Sequence, residues 1–408
     1  MREKLHHLSL ILLTFSCSIH LYGDDWPQWR GMARDGVSKE TISNLDWSSQ
    51  KPNQLWTAEV GKGCSSMAVS DNRLYTLGNV DDKDTVYCFD AQTGEVIWKH
   101  SYPCMLSPKM YEGGPGATPV VSGDYLITLS DEGHLFCFDK ASGAIKWKKH
   151  LQDDFKGQRP DWGYAGSPLV YDNKLIVDTG APSGGVVALK LEDGSLLWKS
   201  GSGDAGYAAP VFSDFEGKAS ALVFRASGLT SFDWTSGSKN WHFPWKTDWD
   251  VNAATPLING SELFLSSGYG TGSALLEVKG SSAKSIWKNN DFSNQISTSV
   301  LKDGYLYGFH TNHVSKKRDN GLSCVEWKTG KLMWKEKLGV GMTILVGEHL
   351  LALTDKNILY LVEPSPQGFK KLSELKVLDG GRSWVDPIFA NGVVYCRNNE
   401  GKMAAWKL

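Results

Sequence analysis

One ten-residue phrase recurs along the chain and constrains its fold more than any other feature. It reads FDAQTGEVIW at 89–98, FDKASGAIKW at 138–147, LKLEDGSLLW at 189–198, FDWTSGSKNW at 232–241 and VEWKTGKLMW at 325–334. The tryptophan that closes the phrase occupies positions 56, 98, 147, 198, 241, 287 and 334. Because spacings of 40 to 50 residues are typical of repeat proteins, we expect one supersecondary unit to be repeated along the chain.

Each repeat contains four short apolar segments with an alternating pattern. In the second repeat these are TPVV, YLITLS, HLFCFD and AIKWKK, separated by the turns SGD, DEG and KASG. Segments of this length, rich in Val, Ile, Leu and aromatic residues, indicate β-strands. Four strands per repeat without an intervening helical pattern predict the blade of a β-propeller.

The positions of large and small residues fit the wedge shape of a blade. The repeated tryptophan falls on the fourth, outermost strand, where a blade is widest and a large ring fills space. Segments of small residues begin the innermost strands: GATP at 116–119, AGSP at 165–168, YAAP at 207–210 and AATP at 253–256. In the turn of the repeated phrase, we expect Asp90 and Asp139 to accept backbone hydrogen bonds and Gly94 and Gly143 to adopt a positive φ.

Eight innermost strands can be counted, starting near residues 64, 116, 165, 207, 253, 296, 341 and 385. The eighth repeat lacks a fourth strand, whereas QLWTAEV at 54–60 carries a closing tryptophan before the first complete repeat. We therefore predict an all-β, eight-bladed propeller of four-stranded antiparallel blades over residues 54–408. The N-terminal strand is expected to complete the last blade and remove the open edges.

The first 23 residues have the pattern of a secretory signal peptide. Arg2 and Lys4 precede an apolar stretch at 8–15 that is too short to span a bilayer. We expect export to the periplasm or surface of a bacterium, with lipidation at Cys17 as an alternative to simple cleavage. No later segment predicts a transmembrane helix. The net charge of −2, without a basic patch, argues against nucleic acid as a partner.

Six cysteines follow the predicted signal peptide, and an oxidising compartment would permit disulfides between them. Cys88, Cys137 and Cys324 occupy the same slot in three repeats, which favours a role as small buried apolar residues. The pairing of the cysteines is otherwise left open. The absence of a C-x-x-C motif argues against a zinc site or a redox pair.

The phrase [FL]-D-x-x-[ST]-G-x-x-x-W resembles the repeat of pyrroloquinoline quinone (PQQ)-binding-like β-propeller proteins. DWPQWRGMARDGVS near the N-terminus, SSGYGTGSALL in the middle and GRSWVDPIFANGVVYCRNNEG near the C-terminus extend the resemblance over the whole predicted mature chain. The superfamily includes quinone-dependent alcohol and glucose dehydrogenases. It also includes the propeller lipoprotein of the outer-membrane β-barrel assembly machinery. The resemblance therefore implies the fold and leaves the activity open.

The resemblance to the dehydrogenases is incomplete. Alcohol dehydrogenases of this class hold the quinone beside a disulfide between adjacent cysteines, and this chain has no adjacent cysteines. Their calcium ligands (Glu, Asn and Asp) and their base aspartate do not map onto this sequence. We therefore name no catalytic residue and no metal ligand, and we keep PQQ and calcium only as an alternative. His310 and His313 lack a third ligand nearby in the sequence.

Long loops, which should all lie on one face of the disc, contain the most unusual residues of the chain. Since loops on a rigid scaffold commonly carry function, we predict a ligand site at the channel mouth on this face. Its candidate residues are Arg159, Asp161, Trp162, Tyr164, Tyr207, Trp249, Asn252, His310, Arg382, Trp384 and Asp386. Aromatic rings beside Arg and Asp suit a planar, polar or anionic ligand. The alternative is that these side chains only fill the channel.

Residues 24–53 are predicted to form an extended arm. Trp26 and Trp29 within it are expected to dock against the propeller or, alternatively, to recognise a partner. The combined hypothesis is a monomeric, non-catalytic scaffold that binds a protein or small polar ligand through its long loops. A small quinoprotein oxidoreductase acting on alcohols or sugars and a carbohydrate-binding propeller are the alternatives.

Overall fold

A computed structural model describes residues 25–109, 111–313 and 319–408 of the chain. The predicted signal peptide and Cys17 lie outside these residues. Within the described residues, strands form eight separate sheets, each built around four antiparallel strands. The predicted all-β, eight-bladed propeller is confirmed. We number the blades 1 to 8 in the order of their innermost strands.

The strands of the first four blades follow one another without crossing. Blade 1 comprises Ala68–Ser70, Arg73–Val80, Lys83–Asp90 and Val96–Pro103. Blade 2 comprises Val120–Ser122, Tyr125–Leu129, His134–Asp139 and Ile145–His150. Blade 3 comprises Leu169–Tyr171, Lys174–Asp178, Val186–Lys190 and Leu196–Ser200. Blade 4 comprises Val211–Phe215, Lys218–Arg225, Gly228–Asp233 and Lys239–Pro244.

The remaining four blades complete the ring. Blade 5 comprises Leu257–Asn259, Glu262–Ser267, Gly272–Lys279 and Ser282–Asn289. Blade 6 comprises Val300–Lys302, Tyr305–His310, Gly321–Glu326 and Leu332–Glu336. Blade 7 comprises Gly341–Val346, His349–Thr354, Ile358–Glu363 and Lys370–Lys376, with Val37–Ser38 parallel to its first strand. Blade 8 comprises Ile388–Ala390, Val393–Arg397, Lys402–Lys407 and, as its outermost strand, Asn53–Glu59.

The ring closes through the N-terminal strand, as predicted. Asn53–Glu59 pairs antiparallel with Lys402–Lys407, with Asn53 opposite Lys407 and Glu59 opposite Lys402. Blade 8 therefore combines one strand from the start of the propeller sequence with three from its end. The pairing leaves no open edge between the first and last repeats.

Helical structure is minor in the described residues. A single α-helical turn spans Leu151–Phe155, and a 3₁₀ turn spans Asp248–Asp250. None of the helices in the described part of the chain is long and apolar enough to cross a membrane. The six described cysteines are unpaired, and Cys88, Cys137 and Cys324 are fully buried, as their repeated slot predicted.

The repeated tryptophans join neighbouring blades at the outer rim. The indole of Trp147, on the outermost strand of blade 2, donates a hydrogen bond to the carbonyl oxygen of Leu191 in blade 3, at 2.8 Å. Equivalent bonds run from the indoles of Trp56, Trp98, Trp198, Trp287 and Trp334 to the next blade, over 2.7 to 3.3 Å. The tryptophan therefore does more than fill the rim, because it also satisfies a backbone acceptor of the neighbouring blade.

The glycine of each repeated phrase receives the ring of the preceding blade. Gly194 has a φ of +69°, and a Cβ atom placed there would lie 2.8 Å from the ring of Trp147. A side chain at this position would clash with the ring and would also strain the backbone. The Asp–Gly turn predicted from the sequence is also present, since Asp139 Oδ1 accepts from the Ser142 N–H at 2.9 Å. Each repeated phrase thus carries both partners of the contact between blades. Its tryptophan reaches the next blade, and its glycine receives the tryptophan of the preceding blade.

The N-terminal arm crosses the axis of the ring. Residues 26–34 hydrogen-bond to the innermost strand, or to the one or two residues before it, in every blade. In order of blade, the partners are Val69, Val121, Pro168, Pro210, Thr255, Thr298, Thr343 and Asp386. We call residues 26–34 the hub. Beyond the hub, Glu40 accepts hydrogen bonds from the N–H groups of Asn391 and Gly392 in a turn of blade 8, both at 2.8 Å. Further along, the Trp47 N–H donates to Ser373 Oγ on the outermost strand of blade 7, at 2.9 Å, so the arm runs from the axis to the rim before it enters blade 8.

Candidate functional site

A cup opens on the face that carries the long loops. Its volume is about 220 Å³. It is lined by side chains from the connections between blades, from two loops within blades and from the arm: Trp29, Cys64, Lys109, Tyr111, Trp162, Ser167, Tyr207, Val251, Tyr269, Gln295, Ile296, His313 and Trp384, with small residues between them. The antiparallel order of the strands places all of these loops on one side of the disc.

The arm forms the floor of this cup. The indole N–H of Trp29 donates to the hydroxyl oxygen of Thr255 in blade 5, at 2.8 Å, which fixes the ring across the channel. The next residue, Arg30, is fully buried and donates to the carbonyl oxygens of Thr298 and Ser299 and to Asp386 Oδ2, at 3.2, 2.7 and 3.2 Å. The hub thus closes the central channel and turns it into a dead-end cavity.

The Arg30–Asp386 pair lies below the floor and is shielded from solvent. Burial raises the pKa of the Asp386 carboxyl group to about 6, and the nearby Arg30 guanidinium opposes this shift. Burial likewise lowers the pKa of Arg30, against the attraction of Asp386. A buried pair with this desolvation cost holds the arm in one position more than it adds net stability.

Aromatic rings form much of the wall. The rings of Trp162 and Tyr207 meet edge to face, with centroids 5.9 Å apart. The Tyr111 hydroxyl group donates to the carbonyl oxygen of Trp162 at 3.2 Å. On the opposite side, Tyr269 and His313 make another edge-to-face contact, with centroids 5.1 Å apart. These contacts restrain the rings, so the apolar wall is formed in advance of any ligand.

Trp384 contributes to the wall from the last connection between blades. The Arg382 guanidinium lies over its ring, 4.1 Å from the centroid, and donates to Glu112 at 3.1 Å. Glu112 also accepts from the Asn399 side chain at 3.0 Å. Burial alone would raise the pKa of Glu112, but these donors outweigh burial and lower it. Arg382 is therefore engaged in the rim and supports Trp384 from the side.

Of the eleven residues predicted from the sequence, the structure places Trp162, Tyr207 and Trp384 in the wall of the cup. Asp161 lies at the rim, where its exposed carboxylate pairs with Lys109 at 3.4 Å. Arg382 stacks on Trp384 as described. Trp249 is 67% exposed on the loop between blades 4 and 5, two residues before the lining residue Val251.

The other five predicted residues turn away from the cup into the protein. The hydroxyl group of Tyr164 donates to the Thr179 carbonyl, and Asn252 binds backbone carbonyls of Arg225 and Trp245. Arg159 pairs with Asp131 and Glu132, at 3.0 and 2.9 Å, and Asp386 binds Arg30. The remaining residue, His310, accepts from the Ser293 N–H at 3.1 Å. Burial lowers the pKa of His310 to about 4.

Several lining residues were not among those predicted for the cup, for example Trp29, Lys109, Tyr111, Tyr269 and His313. Trp29 was considered only for docking of the arm, and His313 only as a metal ligand. Tyr111 lies in a long loop and Tyr269 in a Gly-rich one, but the sequence does not show which way their side chains point. The position of Trp29 depends on contacts of the arm with all eight blades.

Trp249 adopts an unusual backbone conformation. Its φ is +63°, and that of Asp250 is +57°. Non-glycine residues enter this left-handed region at a cost, and a bulky residue there is an outlier that often marks a functional site. The strained turn holds an exposed indole beside the mouth of the cup.

The fold and the arrangement of the phrases define a PQQ-like β-propeller. A family model described as outer membrane protein assembly factor BamB matches residues 38–106 and 82–336. Because the two matches together cover most of the chain, the protein belongs to this family. No curated protein matches the sequence.

Solved structures with the same fold include both assembly factors and enzymes. BamB from Moraxella catarrhalis has a TM-score of 0.65 at 14% identity, over 88% of this chain and 100% of that one. A quinohemoprotein alcohol dehydrogenase from Pseudomonas putida HK5 has a TM-score of 0.63 at 12% identity, over 94% of this chain and 80% of that one. The enzyme from Comamonas testosteroni has a TM-score of 0.62 at 12% identity, with the same coverage. At such low identity the likeness concerns the fold alone.

Proposed function

We propose that the protein is an exported, non-catalytic scaffold that holds a partner protein on its long-loop face. The observation that carries this proposal is the aromatic cup with a closed floor, bordered by the exposed Trp249. Tryptophan and tyrosine are enriched among the residues that dominate protein interfaces, and pockets near an interface centre receive such anchors. The family description, an assembly factor, agrees with this class of function.

The size of the cup favours one inserted side chain over a whole cofactor. Its volume of about 220 Å³ lies below the range of about 300 to 1,000 Å³ that is typical of small-molecule sites. Its rim carries an exposed ion pair, Lys109 with Asp161, which suits the polar border of an interface. We therefore expect the partner to insert an aromatic or aliphatic residue.

The cup does not fit PQQ with calcium. The quinone carries three carboxylates, while among the described lining residues only Lys109 brings a permanent positive charge, and it is already paired with Asp161. None of those lining residues is an aspartate or a glutamate that would ligate calcium or act as a base. The aromatic rings would stack on a planar ligand, but the charged complement of the quinone is missing.

A sugar ring is the second candidate ligand. The aromatic walls offer faces of the kind that stack on sugars, and Gln295 and Ser167 add polar groups to the lining. This alternative predicts binding of a free glycan without a protein partner, which the experiments below separate from the scaffold function.

Export and a monomeric state are part of the same proposal, with a lipid anchor at Cys17 as the alternative to simple cleavage. Export is supported by the apolar segment at 8–15 and by a family description that concerns the outer membrane. The measurement that tests them is fractionation of the native protein, followed by mass spectrometry of its N-terminus and light scattering. A protein retained in the cytoplasm would contradict the proposal.

Photo-crosslinking tests the scaffold function directly. A crosslinking amino acid is placed at Trp249, on the long-loop face, and in a matched variant at Tyr171. Tyr171 is an exposed aromatic residue at the end of the first strand of blade 3, beside the turn on the opposite face. In cells that make the protein, position 249 should give an adduct of defined size and position 171 should not. Equal adducts at both positions, or none at 249, would contradict the proposal.

Cup variants and ligand titrations complete the test. Trp162→Ala combined with Tyr207→Ala should reduce the adduct at position 249 at least tenfold while the melting temperature stays within a few degrees. Purified protein is also titrated with PQQ and Ca²⁺ and screened against glycans. Tight quinone binding with dye reduction by alcohols or sugars would replace the scaffold function with that of an oxidoreductase. Glycan binding without crosslinks would favour the sugar ligand.

A further inference from the structure

A buried group of potential metal ligands lies between blades 1 and 2, apart from the cup. Asp84 is the second residue of the third strand of blade 1, Cys104 follows its fourth strand, and Asp131 lies in the loop between the second and third strands of blade 2. All three side chains are at most 3% exposed. One ligand atom from each residue lies within 4.8 Å of the others.

In each carboxylate of this group, one oxygen accepts a hydrogen bond that fixes the side chain, and the other oxygen points into the cluster. Asp84 Oδ1 accepts from Asn79 Nδ2 at 2.7 Å, whereas Asp84 Oδ2 is buried and makes no hydrogen bond within the described residues. Asp131 Oδ2 accepts from Arg159 Nη2 at 3.0 Å, and its Oδ1 lies 3.7 Å from Cys104 Sγ. Carboxylates that ligate metals are commonly held by outer hydrogen bonds of this kind.

A second observation comes from Tyr102. Its hydroxyl group is buried and faces the Asp84 carboxyl group, with Cys104 and Asp131 close by. Neither this hydroxyl group nor Asp84 Oδ2 makes a hydrogen bond of ordinary geometry within the described residues. Since buried polar groups in folded proteins are nearly always satisfied, the two groups together point to a missing group beside them.

We propose that Asp84 Oδ2, Asp131 Oδ1 and Cys104 Sγ bind one zinc ion, with the Tyr102 hydroxyl group beside the fourth position. Binding would release the thiol proton of Cys104 to solvent, because the thiolate is the form that ligates. Zinc accepts sulfur and oxygen together in a four-coordinate site, whereas calcium and magnesium take only oxygen ligands. The chemistry of the donor set therefore selects the metal.

The required movement is small. Bond lengths of about 2.3 Å for Zn–S and 2.0 Å for Zn–O put tetrahedral ligand atoms about 3.5 Å apart. The Cys104–Asp131 pair is already at 3.7 Å, so side-chain rotation of Asp84 supplies most of the remaining approach. Because the three ligands come from two blades, the ion would join blade 1 to blade 2 from within.

Metal content and a thiolate-sensitive spectrum test the site. The purified full chain is stripped with a chelator, exposed to Zn²⁺ alone and passed through gel filtration. The wild-type protein should retain one equivalent. Co²⁺ in place of zinc should give the near-ultraviolet thiolate charge-transfer band and the strong visible bands of a tetrahedral site. At a hundredfold excess of Zn²⁺ over its dissociation constant, the melting temperature should rise by about 3 °C.

Cys104→Ser should lose the cobalt–thiolate band and at least nine-tenths of the retained zinc. Cys137→Ser is the matched control, because Cys137 is equally buried but lies in the repeated slot, away from the cluster. Asp84→Asn conserves shape and should also abolish retention, with folding checked by circular dichroism. Retention of no zinc by the wild-type protein, or equal retention by Cys104→Ser and Cys137→Ser, would overturn the proposal.

Discussion

The outer rim and the axis of the propeller are held together in contrasting ways. At the rim, one contact is repeated, in which a tryptophan of one blade meets the turn of the next. At the axis, the arm contacts every blade, and the contacts differ from blade to blade. Repeated contacts specify the ring, whereas the individual contacts seal one channel and shape one cup. Specific function on such a fold should therefore be sought where the repeat is broken.

The largest effect is expected from breaking the axis. Arg30→Met should lower the free energy of unfolding by about 4 kcal/mol, because it leaves Asp386 buried without its counter-charge. Lys109→Met, which removes a pair exposed on the rim of the cup, should cost less than about 1 kcal/mol. Urea denaturation measures both. Similar losses for the two variants would show that the hub is dispensable.

The rim joint is tested by a pair of glycine substitutions. Gly194→Ala should destabilise the protein by about 3 kcal/mol, since the new Cβ meets the Trp147 ring at a backbone position with positive φ. Gly260→Ala is the control: Gly260 has a φ of +60° with open space around it and should cost only about 1 kcal/mol. The difference between the two losses of unfolding free energy measures the clash with the Trp147 ring apart from the backbone strain. Equal losses would mean that the Trp147 ring moves aside at no cost.

Acid titration probes a contact of the unrepeated loops. The pKa of His310 is lowered to about 4 in the folded protein and is about 6.5 when unfolded. Its contribution is therefore complete above pH 6.5 and is lost as the pH falls towards 4, by about 3 kcal/mol. The unfolding free energy is measured across this range for the wild-type protein and for His310→Gln, in which this part of the acid dependence should disappear. An unchanged profile would contradict the assignment.

The smallest effect concerns the floor of the cup. Thr255→Val removes the acceptor of the Trp29 indole and should cost about 1 kcal/mol. Thr93→Val, in an exposed turn at the rim, should change the stability by less than about 0.5 kcal/mol. Thermal melting ranks the pair. In the scaffold proposal, only the Thr255 variant should also weaken the adduct at position 249.

The sequence predicted the repeated part of the molecule well. The phrases gave the number of blades, the place of the tryptophans and the closure of blade 8, because one local pattern is under the same constraint in each repeat. Even there, the contact between Trp147 and Gly194 of the next blade was not foreseen. It joins residues of adjacent repeats, and a pattern read within one repeat does not reveal it.

The unrepeated loops are less predictable from sequence. Of the residues predicted for the channel mouth, Trp162, Tyr207 and Trp384 line the cup. Tyr164 and Asn252, in the same loops, turn inward and bind buried backbone groups. Loop direction depends on such hydrogen bonds, which have no short-range signature. The proposed zinc ligands were missed for a related reason: no C-x-x-C motif marks ligands that come from three separate segments, one strand and two loops.

The closing strand also fixes the order of assembly. Asn53–Glu59 is synthesised before every other blade strand, yet its partner Lys402–Lys407 is synthesised last. Until translation reaches the last strand, this early segment and the hub that precedes it cannot be part of a closed ring. A chain halted before residue 402 would remain an open arc with both ends unguarded.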